Sequence, residues 1–266
     1  MGKRNLGSKI KLSSYDDMFG VNTTENVVVE NQIKDVALSE LHPFKNHPFK
    51  VIDDEKMDEM VESVKQYGVL VPAIVRERAE GGYELISGHR RHHAAVLAGL
   101  EEMPVIVKNC DDDESTVIMV DANIQREDIS VSEKAKAYRM KYDAMKHQGA
   151  SGGISLAEMS ESAGESRKTI QRLIYLSNLT EELLELIDNK KIGIAQGVDL
   201  AFIPKEEQDV VFRVMQKTGV YINMEQSARI KNAVKEGLFN EQWLLEILSY
   251  KKPPVRKVVF NQNKLD

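Results

Sequence analysis

Among its 266 residues the chain has one cysteine, one tryptophan and no long apolar run, and each scarcity removes a class of protein. A lone Cys110 can form no internal disulfide and offers too few thiolates for a cysteine-based zinc site, as expected in a reducing compartment. No stretch approaches the roughly 18 consecutive apolar residues of a membrane span. The opening segment MGKRNLGSKIKLSSYDD also lacks an apolar signal core, so the reading is a soluble, cytoplasmic chain with no membrane partner. Positive charge is in short supply too: 36 Lys and Arg face 42 Asp and Glu, a net charge of −6. Any contact with nucleic acid must then be local, because phosphate affinity arises only where basic residues cluster. With 42% hydrophobic residues the chain can bury a core, and its length suits two or three small domains.

Against that background one basic run stands out: Ser87-Gly88-His89-Arg90-Arg91-His92-His93-Ala94-Ala95, placed where the strand pattern Tyr83 to Ile86 gives way to a helix pattern. A glycine at such a junction lets backbone approach a ligand, and the amides and guanidinium groups behind it suit a bound phosphate. Arg90 and Arg91 on one helical turn repel each other, so an anion is the natural third party; the alternative is a solvated basic turn. His89, His92 and His93 share one helix face, a spacing that also permits a metal site, although no paired Glu motif of the HExxH kind accompanies them.

A second polar constellation follows in Val120-Asp121-Ala122-Asn123-Ile124-Gln125-Arg126-Glu127-Asp128. Asn123 and Gln125 offer amides, Arg126 a third guanidinium, and Glu127 a carboxylate able to hold a hard cation such as Mg²⁺ through oxygen. Between the two motifs and the chain start, Tyr67-Gly68-Val69-Leu70-Val71-Pro72-Ala73-Ile74-Val75-Arg76 closes a helix and opens a strand. Downstream, Ser160, Gly164 and Ile170 have the relative spacing of a helix-turn-helix, and Ser166 is placed to cap its second helix. The exposed face of that helix presents Arg167, Lys168, Thr169, Gln171 and Arg172, a donor-rich set suited to base edges and phosphates. The alternative is a plain helical hairpin.

This succession, over roughly residues 35 to 200, resembles the ParB family of DNA partition proteins. The resemblance implies an α+β architecture: a small ParB/sulfiredoxin-like α/β domain, an all-helical helix-turn-helix domain and a helical C-terminal region. It also implies binding of CTP with Mg²⁺. The nucleotide contacts would come from Gly88, His89, Arg90, Arg91, Asn123, Gln125 and Arg126, with Asn123 and Glu127 at the metal. DNA contacts would come from Ser166, Arg167, Lys168, Thr169, Gln171 and Arg172. The implied assembly is a homodimer that closes as a clamp on double-stranded DNA at a centromere-like site, served by a ParA-like ATPase and associated with nucleoid or plasmid. The GHRRHHAA run, the Asn46-His47-Pro48-Phe49 loop and the VDANIQRE box are closer in style to plasmid or mobile-element members. Two positions in the nucleotide boxes and two beyond the helix-turn-helix depart from the family pattern. His89 and Ala122 each stand where Glu is usual, which puts CTP hydrolysis in doubt more than binding. Gln196 and Val198 replace a usual His and Arg, so one DNA contact is expected to be missing or moved.

The expected organisation is a flexible arm over 1–34, a nucleotide domain over 35–128, a DNA-binding domain over 129–204 and a helical region with a basic tail over 205–266. In the arm, Lys3, Arg4, Lys9 and Lys11 would suit a partner ATPase, though a disordered tail needs no role. A strand begins at Val36-Ala37-Leu38, and the proline-rich loop His42 to Lys50 invites a ligand-facing position. Met57, Met60, Val61, Val64 and Tyr67 form one apolar helix stripe ended by Gly68. Asp111 to Glu114 reads as helix capping, with a calcium loop the weaker alternative. Val131 to His147 is a charged amphipathic helix, followed by a glycine-rich hinge. Trp243, Leu244, Leu245, Ile247 and Leu248 form an apolar patch that packs into the core or dimerises, and Val255 to Phe260 is an edge-strand candidate.

Two rival functions remain. One is a ParB-like transcriptional regulator with no segregation role. The other is a sulfiredoxin-like ATP-using enzyme, which needs a reactive cysteine at the phosphate turn; Cys110 lies instead after the Met103 to Val107 strand among acidic neighbours.

Overall fold

A computed structural model describes residues 33–126, 128–149 and 152–249, with the backbone alone for 152–155. The 1–32 part of the arm, its four basic residues, Glu127 and the edge-strand candidate Val255 to Phe260 lie outside the described residues.

Strand β1 (Ile33–Ala37), a 3-10 turn (Leu38–Glu40) and the short β2 (Leu41–His42) are followed by α1 (Glu55–Tyr67), β3 (Ala73–Glu77), β4 (Tyr83–Ser87), α2 (His89–Ala98) and β5 (Glu102–Val107). The five strands form one mixed sheet in the order β1-β5-β3-β4-β2, antiparallel at β1/β5 and β3/β4 and parallel at β5/β3 and β4/β2. Helix α1 starts where Asp54 accepts the Met57 amide at 2.9 Å, and it buries Met57, Val61 and Val64. Tyr67 was expected on this stripe but is 61% exposed. At 100° per residue it sits roughly 80° around the helix from Met57, at the edge of the apolar face and on the last turn. Strand β3 begins at Ala73 rather than Val69, leaving Leu70 and Val71 exposed. Pro72 has no amide to donate, and the carbonyls of Val71 and Pro72 are taken by the Arg91 guanidinium at 2.5 and 2.7 Å instead of by a strand.

The remaining elements among the described residues are helices: α3 (Asp112–Ile124), α4 (Val131–His147), α5 (Gly152–Ala163), α6 (Arg167–Leu176), α7 (Glu181–Asp188), α8 (Ile194–Leu200), α9 (Lys205–Thr218), α10 (Met224–Lys235) and α11 (Glu241–Ser249). Reciprocal capping boxes start α3 (Asp111 with Glu114) and α4 (Ser130 with Glu133), so the acidic run is a cap as expected. Two apolar clusters result. The first packs α1 and the Ala94-Ala95 face of α2 on strands β1, β3, β4 and β5. The second runs through α3 to α11, and Phe44 and Phe49 enter it from the loop after β2. Leu244 and Leu248 of the terminal apolar patch are buried in this second cluster. Lys141, nearly fully buried, reaches Asp121 at 2.5 Å and Ser162 at 3.1 Å, joining α3, α4 and α5 through one ammonium group.

Helix α8 crosses its neighbours at Gly197, where a Cβ would stand 2.6 Å from Ile187 Cδ1 and 2.8 Å from Leu176 Cδ2. Both neighbours are themselves buried, so they have little room to retreat. Gly197→Ala should cost about 1–2 kcal/mol by overpacking, lowering the urea midpoint while the denaturant slope stays constant. An unchanged midpoint would mean that α8 can shift without loss.

Candidate functional site

The basic run opens α2 as its residue types require. Gly88 adopts φ +105°, and a Cβ there would lie 2.8 Å from the Cβ of Ala73. The glycine expected to make room for a ligand is thus also demanded by the neighbouring strand. No side chain caps α2 and no acidic residue occupies its first turn, which leaves the positive helix end open to an anion. The two arginines diverge. Arg91 holds the Val71-Pro72 segment, while Arg90, largely buried, donates to Asp54 at 3.1 Å. Partial desolvation opposes ionisation of Asp54, yet hydrogen bonds from Arg90 and the Met57 amide outweigh it and hold this carboxyl below its usual value.

The histidines turn to different partners. His89 Nε2 accepts the Phe44 amide at 3.3 Å, and its ring stacks on His47 with centroids 3.8 Å apart. His92 Nε2 lies 3.5 Å from Leu38 O, and His93 pairs with Asp53 at 2.7 Å. Among the described residues no group of three or more His, Cys, Asp and Glu side chains is placed to hold a metal ion. Burial, with help from His47 and His92, pushes the His89 pKa down to about 3, so this ring is neutral at pH 7. Burial likewise lowers His47, whose Nδ1 bonds to Phe49 O at 2.8 Å and which feels the charge of Arg126.

The second box caps the end of α3 and approaches the first. Asp128 is held below its usual pKa by its own backbone hydrogen bond and then, against desolvation, by the charges of Arg126, Lys56 and Arg90. Its carboxylate lies 3.6 Å from Arg126 and 3.7 Å from Lys56. Gln125 is exposed, and Asn123 donates its amide to Met119 O at 2.8 Å, leaving Oδ1 as its outward donor atom. The Asn123 carbonyl and the Asp128 carboxylate are hard oxygen donors of the kind Mg²⁺ accepts; Glu127, expected at the metal, lies outside the described residues. The sequence alone gives His47 only a place in a loop and Asp54 and Asp128 no role at a site. Their roles come from contacts across the fold, with no local signal beyond charge.

Cys110 is half-buried beyond β5, and burial raises its thiol pKa. It lines no phosphate turn, so the sulfiredoxin-like chemistry has no nucleophile here.

Helices α5 and α6 form the expected helix-turn-helix. Gly164 takes φ +67° at the turn, Ser160 Oγ donates to Glu165 O at 2.6 Å, and Ile170 is wholly buried. Ser166 caps α6 by accepting the Thr169 amide at 3.1 Å. Arg167, Lys168, Thr169, Gln171 and Arg172 all project into solvent, opposite buried Leu173, Ile174 and Leu176. None of the three cations forms an ion pair with a described residue.

The family model for the ParB N-terminal domain matches residues 22–124, and that for the ParB HTH domain matches residues 127–235. The chain belongs to the ParB family. A nucleoid occlusion protein of Listeria monocytogenes is 28% identical over 235 residues, covering 88% of this chain and 75% of that protein. The C-terminally truncated chromosome-partitioning protein ParB of Caulobacter crescentus, solved on the centromeric parS site, aligns at 20% identity and TM-score 0.46, covering 75% of this chain and 98% of that one. The same protein complexed with CTP-γ-S aligns at 24% identity and TM-score 0.34, covering 64% and 92%. The α+β architecture follows the expectation for this family.

The departure at His89 has a measurable consequence. Its folded pKa of about 3 lies below the unfolded 6.5, so the unfolded chain binds the proton first as pH falls. The stability that depends on neutral His89 is complete above pH 6.5 and is lost progressively toward pH 3. His89→Gln, which keeps an acceptor for the Phe44 amide without titrating, should flatten that acid limb in urea midpoints measured against pH. A slope identical to the unsubstituted chain would remove His89 as its source.

Proposed function

We propose that this chain is a CTP-dependent clamp on double-stranded DNA that loads at a centromere-like site and partitions a plasmid, mobile element or chromosome with a ParA-like ATPase. The observation carrying the DNA half is the face of α6: three cations without an ion-pair partner among the described residues, with Thr169 and Gln171, on a capped second helix, in a chain of net charge −6. A local basic face on an acidic chain favours guided contact over general coating. The working division is a nucleotide domain over 35–128, a DNA domain over 129–204 and a helical region over 205–266 that supports a homodimer. Membership of the same family by a nucleoid occlusion protein supports a second reading, DNA-bound regulation without segregation.

For the nucleotide half, Gly88, His89, Arg90 and Arg91 would meet the triphosphate, and Asn123, Gln125 and Arg126 would close on it, with Asn123 and Glu127 at Mg²⁺. Bound CTP would supply the anion that two adjacent arginines and an uncapped helix end call for. Arg90 would exchange Asp54 for phosphate, and that competition sets part of the affinity. Arg90→Ala should weaken CTP binding about ten- to hundredfold, the loss of one charge-assisted contact of about 1.5–3 kcal/mol. The test is CTP titration calorimetry together with retention on closed and open DNA, with CTP, ATP or no nucleotide. Retention on closed DNA that ignores CTP would refute the clamp, and full CTP affinity in Arg90→Ala would refute the assignment of Arg90 to the triphosphate.

Turnover should be slow. Ala122 can neither orient water nor accept its proton, and neutral His89 spends its one acceptor nitrogen on the Phe44 amide. Ala122 is exposed, so Ala122→Glu can be accommodated without burying charge. That substitution should raise phosphate release measured at saturating CTP with specific DNA. Equal rates in both proteins would show that another residue supplies the function.

A further inference from the structure

On the exposed face of α6, one contact constrains a residue suited to reading a base. Gln171 Nε2 donates to the hydroxyl of Tyr175, one turn along the helix, at 3.0 Å. Tyr175 is itself held: its ring lies 4.9 Å from that of Phe202, at 58° between planes. Phe202, in the turn after α8, is 52% exposed and carries Lys231 Nζ 4.4 Å above its ring. Lys231 in turn lies 3.4 Å from Asp199, whose other oxygen accepts from the fully buried Ser227 hydroxyl at 2.9 Å. A succession of contacts thus runs from the α10 core through a half-exposed aromatic pair to one glutamine amide.

A glutamine amide rotates freely about its last torsion, and in water it offers a donor and an acceptor in either order. Committing one Nε2 hydrogen to Tyr175 removes that freedom. It leaves the second Nε2 hydrogen and Oε1, a donor and an acceptor in the one amide plane. That pair matches adenine in the major groove, where N7 accepts and the N6 amine donates; guanine presents two acceptors, N7 and O6, and mismatches it.

We propose that Tyr175, braced by Phe202 and Lys231, is a positioning residue that sets base specificity by holding the Gln171 amide in the adenine-reading orientation. This rests on the DNA-binding reading of α6 given above. An uncommitted amide pays orientational entropy on binding and tolerates more bases, so the hydroxyl should sharpen preference without adding general affinity.

The experiment is selection of preferred duplexes from a randomised pool by the full chain, comparing the unsubstituted protein with Tyr175→Phe, Phe202→Leu and Gln171→Ala, each checked for an intact thermal transition. Tyr175→Phe keeps the ring and its packing while removing only the hydroxyl. The expected result is relaxation of one adenine position by about tenfold in Tyr175→Phe, at the same position that Gln171→Ala relaxes. Phe202→Leu should relax it partially, and binding to non-specific DNA and its salt dependence should be unchanged in Tyr175→Phe and Phe202→Leu. The double variant Tyr175→Phe/Gln171→Ala should lose no more than Gln171→Ala alone, the mark of two residues acting through one contact. The proposal is overturned if Tyr175→Phe keeps full stringency at the position Gln171→Ala relaxes, or if Gln171→Ala relaxes none. If the unsubstituted chain selects no sequence at all, the DNA-reading function fails together with the proposal, an outcome distinct from both.

Discussion

The seating of Phe44 and Phe49 in the helical core governs how the two halves of the molecule meet. Both rings leave a loop that belongs by connection to the sheet, and both are buried in the cluster built by α3 to α11. Burying two phenylalanines is worth several kcal/mol, on the order of 1.5–3 for each. The polar contacts of the loop follow from that placement. The Phe44 amide meets His89, the Phe49 carbonyl meets His47, and the Lys50 amide meets Glu133 on α4 at 2.7 Å. The first turn of α2 is thereby referred to the helical body, through a loop that cannot move without exposing aromatic surface.

The two candidate surfaces differ in how their charges are satisfied. At the proposed phosphate turn Arg90 and Arg126 have carboxylate partners, Asp54 and Asp128, so binding an anion there would exchange one ion pair for another. On α6 the cations stand in water without partners among the described residues, so meeting a phosphate backbone costs only their hydration. The first arrangement gives a site whose occupancy can be tuned by competition. The second gives a surface ready for contact and sensitive to salt. A chain of net charge −6 needs both, because its overall field repels the polyanions it would bind.

Much of the local structure was legible in the chain. The limits of α2, with Gly88 before it and Gly99 after it, follow from glycine placement, and α4 from Val131 to His147 follows from periodicity with the Ser130 cap. The helix-turn-helix was legible because Ser160, Gly164, Ser166 and Ile170 each have a local reason to be where they are. Where reading failed, a distant group had intervened. Val69 to Pro72 has strand composition, but Arg91 takes its carbonyls; Tyr67 fits the spacing rule but falls at the edge of a face whose width the neighbouring elements decide.

The sequence by itself determined the order of elements, the family boxes and the exposed donors of α6, since these depend on residues within a few turns of one another. Only the tertiary structure decided that the sheet runs β1-β5-β3-β4-β2, that Arg90 faces Asp54 while Arg91 braces a loop, that His47 covers His89, and that Tyr175 packs on Phe202 while accepting from Gln171. The physical reason is that capping, periodicity and turn chemistry act through backbone geometry over a few residues. Pairing of charges and stacking of rings depend instead on which surfaces burial has already brought together, a consequence of the whole core that no local pattern encodes.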